Sequence, residues 1–192
     1  PVCDVSGSMN GLPMDVSVSL GIYISERNRG IFKDAFITFS SNPEMNYLKG
    51  TLSQKMRQLS NAEWGMSTNL QATFDLILKS AVRESLPESE MPTKLLIISD
   101  MEFDHAADNR TNLDVIREKY NQAGYTMPQI IFWNVNGRVG NVPASVKDDS
   151  VGLVSGFSPS ILKSILKGEV YSPEQLMLDT VDTDRYSRIK ID

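Results

Sequence analysis

Apolar stretches alternating with amphipathic ones constrain this chain more than any other feature. Leu95-Leu96-Ile97-Ile98 and Ile130-Ile131-Phe132-Trp133 are unbroken apolar runs. A strand with one wetted face alternates apolar and polar residues, so an unbroken run belongs to a strand covered on both sides, as in the middle of a parallel sheet. The rhythm predicts an α/β fold: a mostly parallel sheet covered by helices on both faces.

Strands are expected at Val2 to Val5, Ala35 to Phe39, Met45 to Leu48, Leu95 to Ser99, Ile130 to Val135 and Val151 to Val154. Helices are expected at about Met14 to Arg27, Ser53 to Ser60, Asn69 to Glu84 and Asn112 to Ala123, the last stopped by Gly124. Ser158-Pro159 and Ser172-Pro173 each place a capping hydroxyl before a proline suited to a first helical position, and so mark two later helices.

The 192 residues contain no internal repeat and no low-complexity linker, and their 41% hydrophobic content is enough for one domain spanning 1–192. Only three residues precede Asp4, fewer than a central strand usually needs, so the chain is expected to be the C-terminal fragment of a longer one. The single cysteine, Cys3, allows neither an intrachain disulfide nor a multi-cysteine zinc site, and fits a reducing, cytoplasmic setting. No apolar run approaches the ~20 residues that span a bilayer, and no membrane partner is expected. A net charge of −5 offers no electrostatic grip on a phosphate backbone.

Chemistry is concentrated in three segments. Asp4-Val5-Ser6-Gly7-Ser8 ends the first strand, Trp64-Gly65-Met66-Ser67-Thr68-Asn69 precedes a helix, and Asp100 follows Leu95 to Ser99. All three should emerge at the carboxyl edge of the sheet, where open α/β folds bind ligands. Ser6 and Ser8 are two apart, so both hydroxyls can face one point while Gly7 lets the backbone bend around it. Hydroxyl and carboxylate oxygens are hard ligands. A set without imidazole or thiolate selects Mg²⁺, with Mn²⁺ or Ca²⁺ as substitutes, over zinc or copper.

Asp-x-Ser-x-Ser, a Thr 60 residues after Ser8 and a strand-terminal Asp 32 residues after that Thr resemble the metal-ion-dependent adhesion site of von Willebrand factor A domains. The resemblance maps onto Asp4, Ser6, Ser8, Thr68 and Asp100 as the metal set, and implies a Rossmann-like fold over nearly the whole chain, with about six strands of which one short edge strand is antiparallel. It also implies a binding module without catalysis: the cation keeps an open position for a carboxylate from a protein partner or from another domain of the parent chain. Asp-Val-Ser-Gly-Ser-Met, Gly-Met-Ser-Thr-Asn and Ser-Asp-Met-Glu-Phe further resemble the A domain of TROVE (Ro-type) proteins and a related intracellular family. In Ro-type proteins that domain accompanies an RNA-binding helical ring, so RNA enters as a partner only through regions outside this chain. The commoner pattern has a Gly after the last Asp, where this chain has Met101.

Met9, Trp64, Met66, Met101, Phe103, Asp104, Asn136 and Arg138 lie in or beside these loops and are candidates for a rim around the bound group, while some of the apolar ones must belong to the core and the sequence does not sort them. The competing interpretations are plainer. Ser6, Ser8 and Thr68 could be turn and helix-capping residues, Asp104, His105 and Asp108 a solvated loop, and Asn136-Gly137-Arg138 a turn with an exposed Arg. A phosphatase using Asp4 as nucleophile would usually carry a second Asp where this chain has Ser6. A Ser-His-Asp hydrolase would have to use His105, the sole histidine, without a Gly-x-Ser-x-Gly elbow.

Overall fold

The structure, a computed structural model, describes residues 1–63, 69–100, 113–136, 151–156 and 159–166, together with residues 174, 177, 178, 181, 182 and 184. The chain divides into two compact units, Pro1–Gly156 and Phe157–Asp192.

The first unit is built on six strands: β1 (Val2–Cys3), β2 (Ala35–Thr38), β3 (Met45–Tyr47), β4 (Lys94–Ser99), β5 (Gln129–Asn134) and β6 (Val151–Ser155). They form one sheet in the order β3-β2-β1-β4-β5-β6, in which β3 pairs antiparallel with β2 and every other pairing is parallel. The apolar runs occupy β4 and β5, where Leu95–Ile98 and Ile130–Trp133 are buried on both faces. The fold is therefore α/β with a mostly parallel, Rossmann-like sheet and a short antiparallel edge strand.

Among the described residues, the α-helices of this unit are α1 (Leu12–Ser25), α2 (Leu52–Ser60), α3 (Leu70–Arg83) and α4 (Leu113–Gln122). Register explains how the two faces are covered. Val2, Ile37, Ile97 and Phe132 align across neighbouring strands, and with Phe74, Ile77 and Ala81 of α3 and Ile116 and Tyr120 of α4 they form one core cluster. The alternate positions Cys3, Ile98 and Trp133 face the other way. There α1 lies so close that a Cβ added to Gly21 would stand 2.6 Å from the Cys3 sulfur.

Local chemistry sets the helix ends. Thr51 and Gln54 form a reciprocal capping box at the start of α2. Asn69 caps α3 by accepting the Ala72 amide at 2.9 Å. α1 starts at Leu12, two residues earlier than the expected Met14, because Pro13 is tolerated in a first turn that has no use for its missing N–H. In the second unit α5 spans Pro159–Leu166, beginning at the proline that the sequence singled out. The helix expected from Ser172-Pro173 starts outside the described residues. Among the described residues, no helix is long and apolar enough to cross a membrane.

Candidate functional site

Strand order decides where a ligand can sit. From β1 the chain moves to β2 on one side, and from β4 it moves to β5 on the other, so the sheet reverses its winding between β1 and β4. Crossover connections diverge there and leave a crevice at the carboxyl ends of those two strands. Asp4 follows β1 directly and Asp100 follows β4 directly. The topology thus delivers both acids to the switch point.

Asp4 is held through every polar group it has. Its N–H donates to the Ile98 carbonyl at 2.9 Å and its own carbonyl accepts the Ser17 hydroxyl of α1 at 2.9 Å. Its carboxylate accepts the Ser6 backbone N–H on Oδ1 and the Ser99 hydroxyl on Oδ2, each at 2.9 Å. Asp4 is 2% and Asp100 3% exposed. Burial pushes the Asp4 carboxyl above the ordinary carboxylate range. The donors Ser6 and Ser99 work against that rise, and the Asp100 charge adds to it. Two acids are thus brought out of water close enough to repel, which is costly unless positive charge is supplied.

The serines face outward from this buried pair. Ser6 precedes a 3₁₀ turn, Gly7–Met9, yet its side chain makes no capping bond. Its hydroxyl instead meets the Ser8 hydroxyl at 3.0 Å, and that contact is solvent-exposed. The capping explanation for Ser6 therefore fails on geometry, and its hydroxyl shares one point of surface with that of Ser8. Thr68 lies outside the described residues. Asn69, immediately after it, donates its N–H to the Ser40 carbonyl just beyond β2 at 3.1 Å, and supplies the cap of α3 from its own side chain.

Of the proposed rim residues, Met9 is a correction. It is fully buried, because the 3₁₀ turn that carries Ser8 outward rotates the next side chain into the core. Asn136 is half-buried at the end of β5, its N–H closing a turn on the Asn134 side-chain oxygen at 3.0 Å. β5 ends beside Asp100, as the Val135 N–H to Ser99 carbonyl bond of 3.0 Å shows. Trp64, Met66, Met101, Phe103, Asp104 and Arg138 lie outside the described residues.

Ser17 and Ser99 are the supports of Asp4 that sequence patterning missed. Each is a buried polar residue among mostly apolar neighbours, and that misfit is the signal that could have found them. Among the described residues no group of three or more His, Cys, Asp or Glu side chains is placed to hold a metal. The oxygen set here is of another kind, two buried carboxylates and a pair of serine hydroxyls in contact with each other, and it suits a hard dication that retains waters.

Fold and site together define an open α/β protein with an oxygen-lined polar cluster at its topological switch point. Residues 1–190 match the family model described as Domain of unknown function (DUF7788), and the chain belongs to that family. A relative, the Uncharacterized protein L728 of Acanthamoeba polyphaga mimivirus, is 34% identical over 185 residues, covering 94% of this chain and 32% of the relative's own length. No solved structure matches the chain.

Proposed function

We propose that this chain is a divalent-cation-dependent binding module, in which Asp4, Ser6, Ser8, Thr68 and Asp100 hold one Mg²⁺ in an adhesion-type site. The cation captures an acidic group of a protein partner or of another domain of the parent chain. The observation that carries this proposal is the pairing of two buried acids, Asp4 and Asp100, with two surface hydroxyls, Ser6 and Ser8, at the switch point of the sheet. A dication neutralises the buried negative charge, while ligation through neutral hydroxyls leaves it electron-poor towards an incoming carboxylate. Ser99 and Ser17 hold Asp4 in place, and no reaction is required of the site.

Melting the chain with Mg²⁺ or Mn²⁺ and then with chelator tests this. At about a hundredfold excess over Kd the cation should add about 2.7 kcal/mol, or roughly 5–10 °C for a chain of this size. Ser8→Ala, at an exposed position, should keep the metal-free melting temperature and shrink the cation effect, and Asp100→Ala should abolish it. A wild-type melting temperature indifferent to both metals and to chelator would sink the proposal.

A further inference from the structure

The geometry points to Asn10 as a site of spontaneous covalent modification: cyclisation of its side chain onto the Gly11 amide, followed by opening to aspartate and isoaspartate. This inference goes beyond cation binding and does not depend on it. Asn10 and Gly11 join the 3₁₀ turn Gly7–Met9 to α1, outside regular structure, and both are exposed. Asn10 uses its own N–H on the Gly7 carbonyl at 3.3 Å. Among the described residues neither its side-chain amide nor the Gly11 N–H makes a hydrogen bond, so neither reacting group is held back by a partner.

Ring closure requires the Gly11 nitrogen to reach the Asn10 side-chain carbonyl. Asn10 has ψ 138° and Gly11 has φ 88°. Rotating the peptide plane between them changes those two angles in opposite senses and leaves the chain direction intact. Glycine gives that rotation a wider range of φ than a residue with Cβ would. Apart from its two chain neighbours, nothing lies within 4 Å of the position a Gly11 Cβ would take.

The chemistry balances with water alone. The Gly11 nitrogen, losing its proton, bonds to Cγ of Asn10. The bond from Cγ to Nδ2 breaks and ammonia leaves, forming a cyclic imide. Water then adds to one of two carbonyls. Attack at Cγ restores the main chain with aspartate, and attack at the former main-chain carbonyl routes the chain through Cγ as isoaspartate. Either product places a new carboxylate two residues from Ser8 and one residue before the Gly11 N-cap of α1, where the helix dipole favours negative charge.

Asn136-Gly137 is the comparison within the molecule, because Asn136 is half-buried where Asn10 is exposed. The test incubates the folded chain in mildly alkaline buffer beside a synthetic peptide spanning residues 6–13. Proteolytic mapping, with fragmentation that separates aspartate from isoaspartate, then follows both. The expected result is conversion at Asn10 in the folded chain at a rate within about tenfold of the peptide, accompanied by an acidic charge variant that Asn10→Gln removes. A folded chain that keeps Asn10 as the amide while the peptide converts overturns the inference.

Discussion

At the scale of single residues, the polar groups around Asp4 hold one carboxylate in one orientation. Ser99 gives the most direct test, because its hydroxyl donates to Asp4 Oδ2 from inside β4. Ser99→Ala leaves a buried carboxylate oxygen without that donor, and should cost about 1–3 kcal/mol in the metal-free chain. If Asp4 serves a cation, the loss of its support should also weaken Mn²⁺ binding, by roughly tenfold or more. Urea unfolding in chelator reads the first effect and Mn²⁺ titration the second. Ser99→Thr, which keeps the hydroxyl, should recover part of both. Unchanged Mn²⁺ affinity in Ser99→Ala would reduce Ser99 to a packing residue. The acids themselves were legible in the sequence because a strand-terminal Asp is conspicuous after an apolar run. Their supports were not, since a serine at a buried position gives no hint of the direction in which its hydroxyl points. Met9 failed for the same reason: nearness to Ser8 along the chain says nothing of which way the next side chain turns.

At the scale of elements, α1 is set by contact more than by amphipathic pattern. Gly21, in its second half, is buried, and a Cβ there would stand 2.6 Å from Cys3 Sγ and 2.9 Å from Leu59 Cδ1 of α2. Gly21→Ala would gain about 1 kcal/mol of helix propensity and lose about 1–3 kcal/mol by overpacking. The net should be a modest destabilisation, seen as a lower urea midpoint at unchanged slope. Shortening the opposing side chain in Gly21→Ala/Cys3→Ala should return part of the loss, because the two sites share one contact. Stabilisation by Gly21→Ala alone would show that the helix can back away from the sheet, and that the close approach is not a constraint. Strands β4 and β5 were readable because burial on both faces demands unbroken apolar runs. Helix ends were less readable: Pro13 reads as a stop from one side and as a permitted first turn from the other, and tertiary contact decides between them.

At the scale of the whole molecule, the strand order ties stability to pH, and under the proposed function to cations, through a single place. The order β3-β2-β1-β4-β5-β6 sets the ends of β1 and β4 side by side, and so obliges Asp4 and Asp100 to share a buried corner. Strand order is not written in any local pattern, which is why the sequence indicated the sheet edge and only the fold supplies the crevice. Burial, opposed by the Ser6 and Ser99 donors and assisted by Asp100, raises the Asp4 carboxyl above its usual range. An acid that holds its proton more tightly folded than unfolded contributes stability at low pH, and loses it as pH rises from the ordinary carboxylate range through the folded value. In chelator, this group alone makes the chain less stable at neutral pH than in mild acid. A dication needs the deprotonated acids, so its contribution runs the other way. The rise in melting temperature produced by Mn²⁺ should therefore be larger near about pH 8 than near about pH 5, and Asp4→Asn should flatten the chelator profile while removing most of the Mn²⁺ effect. An equal Mn²⁺ effect at both pH values would mean that the cation binds somewhere other than this buried pair, whatever its effect on stability.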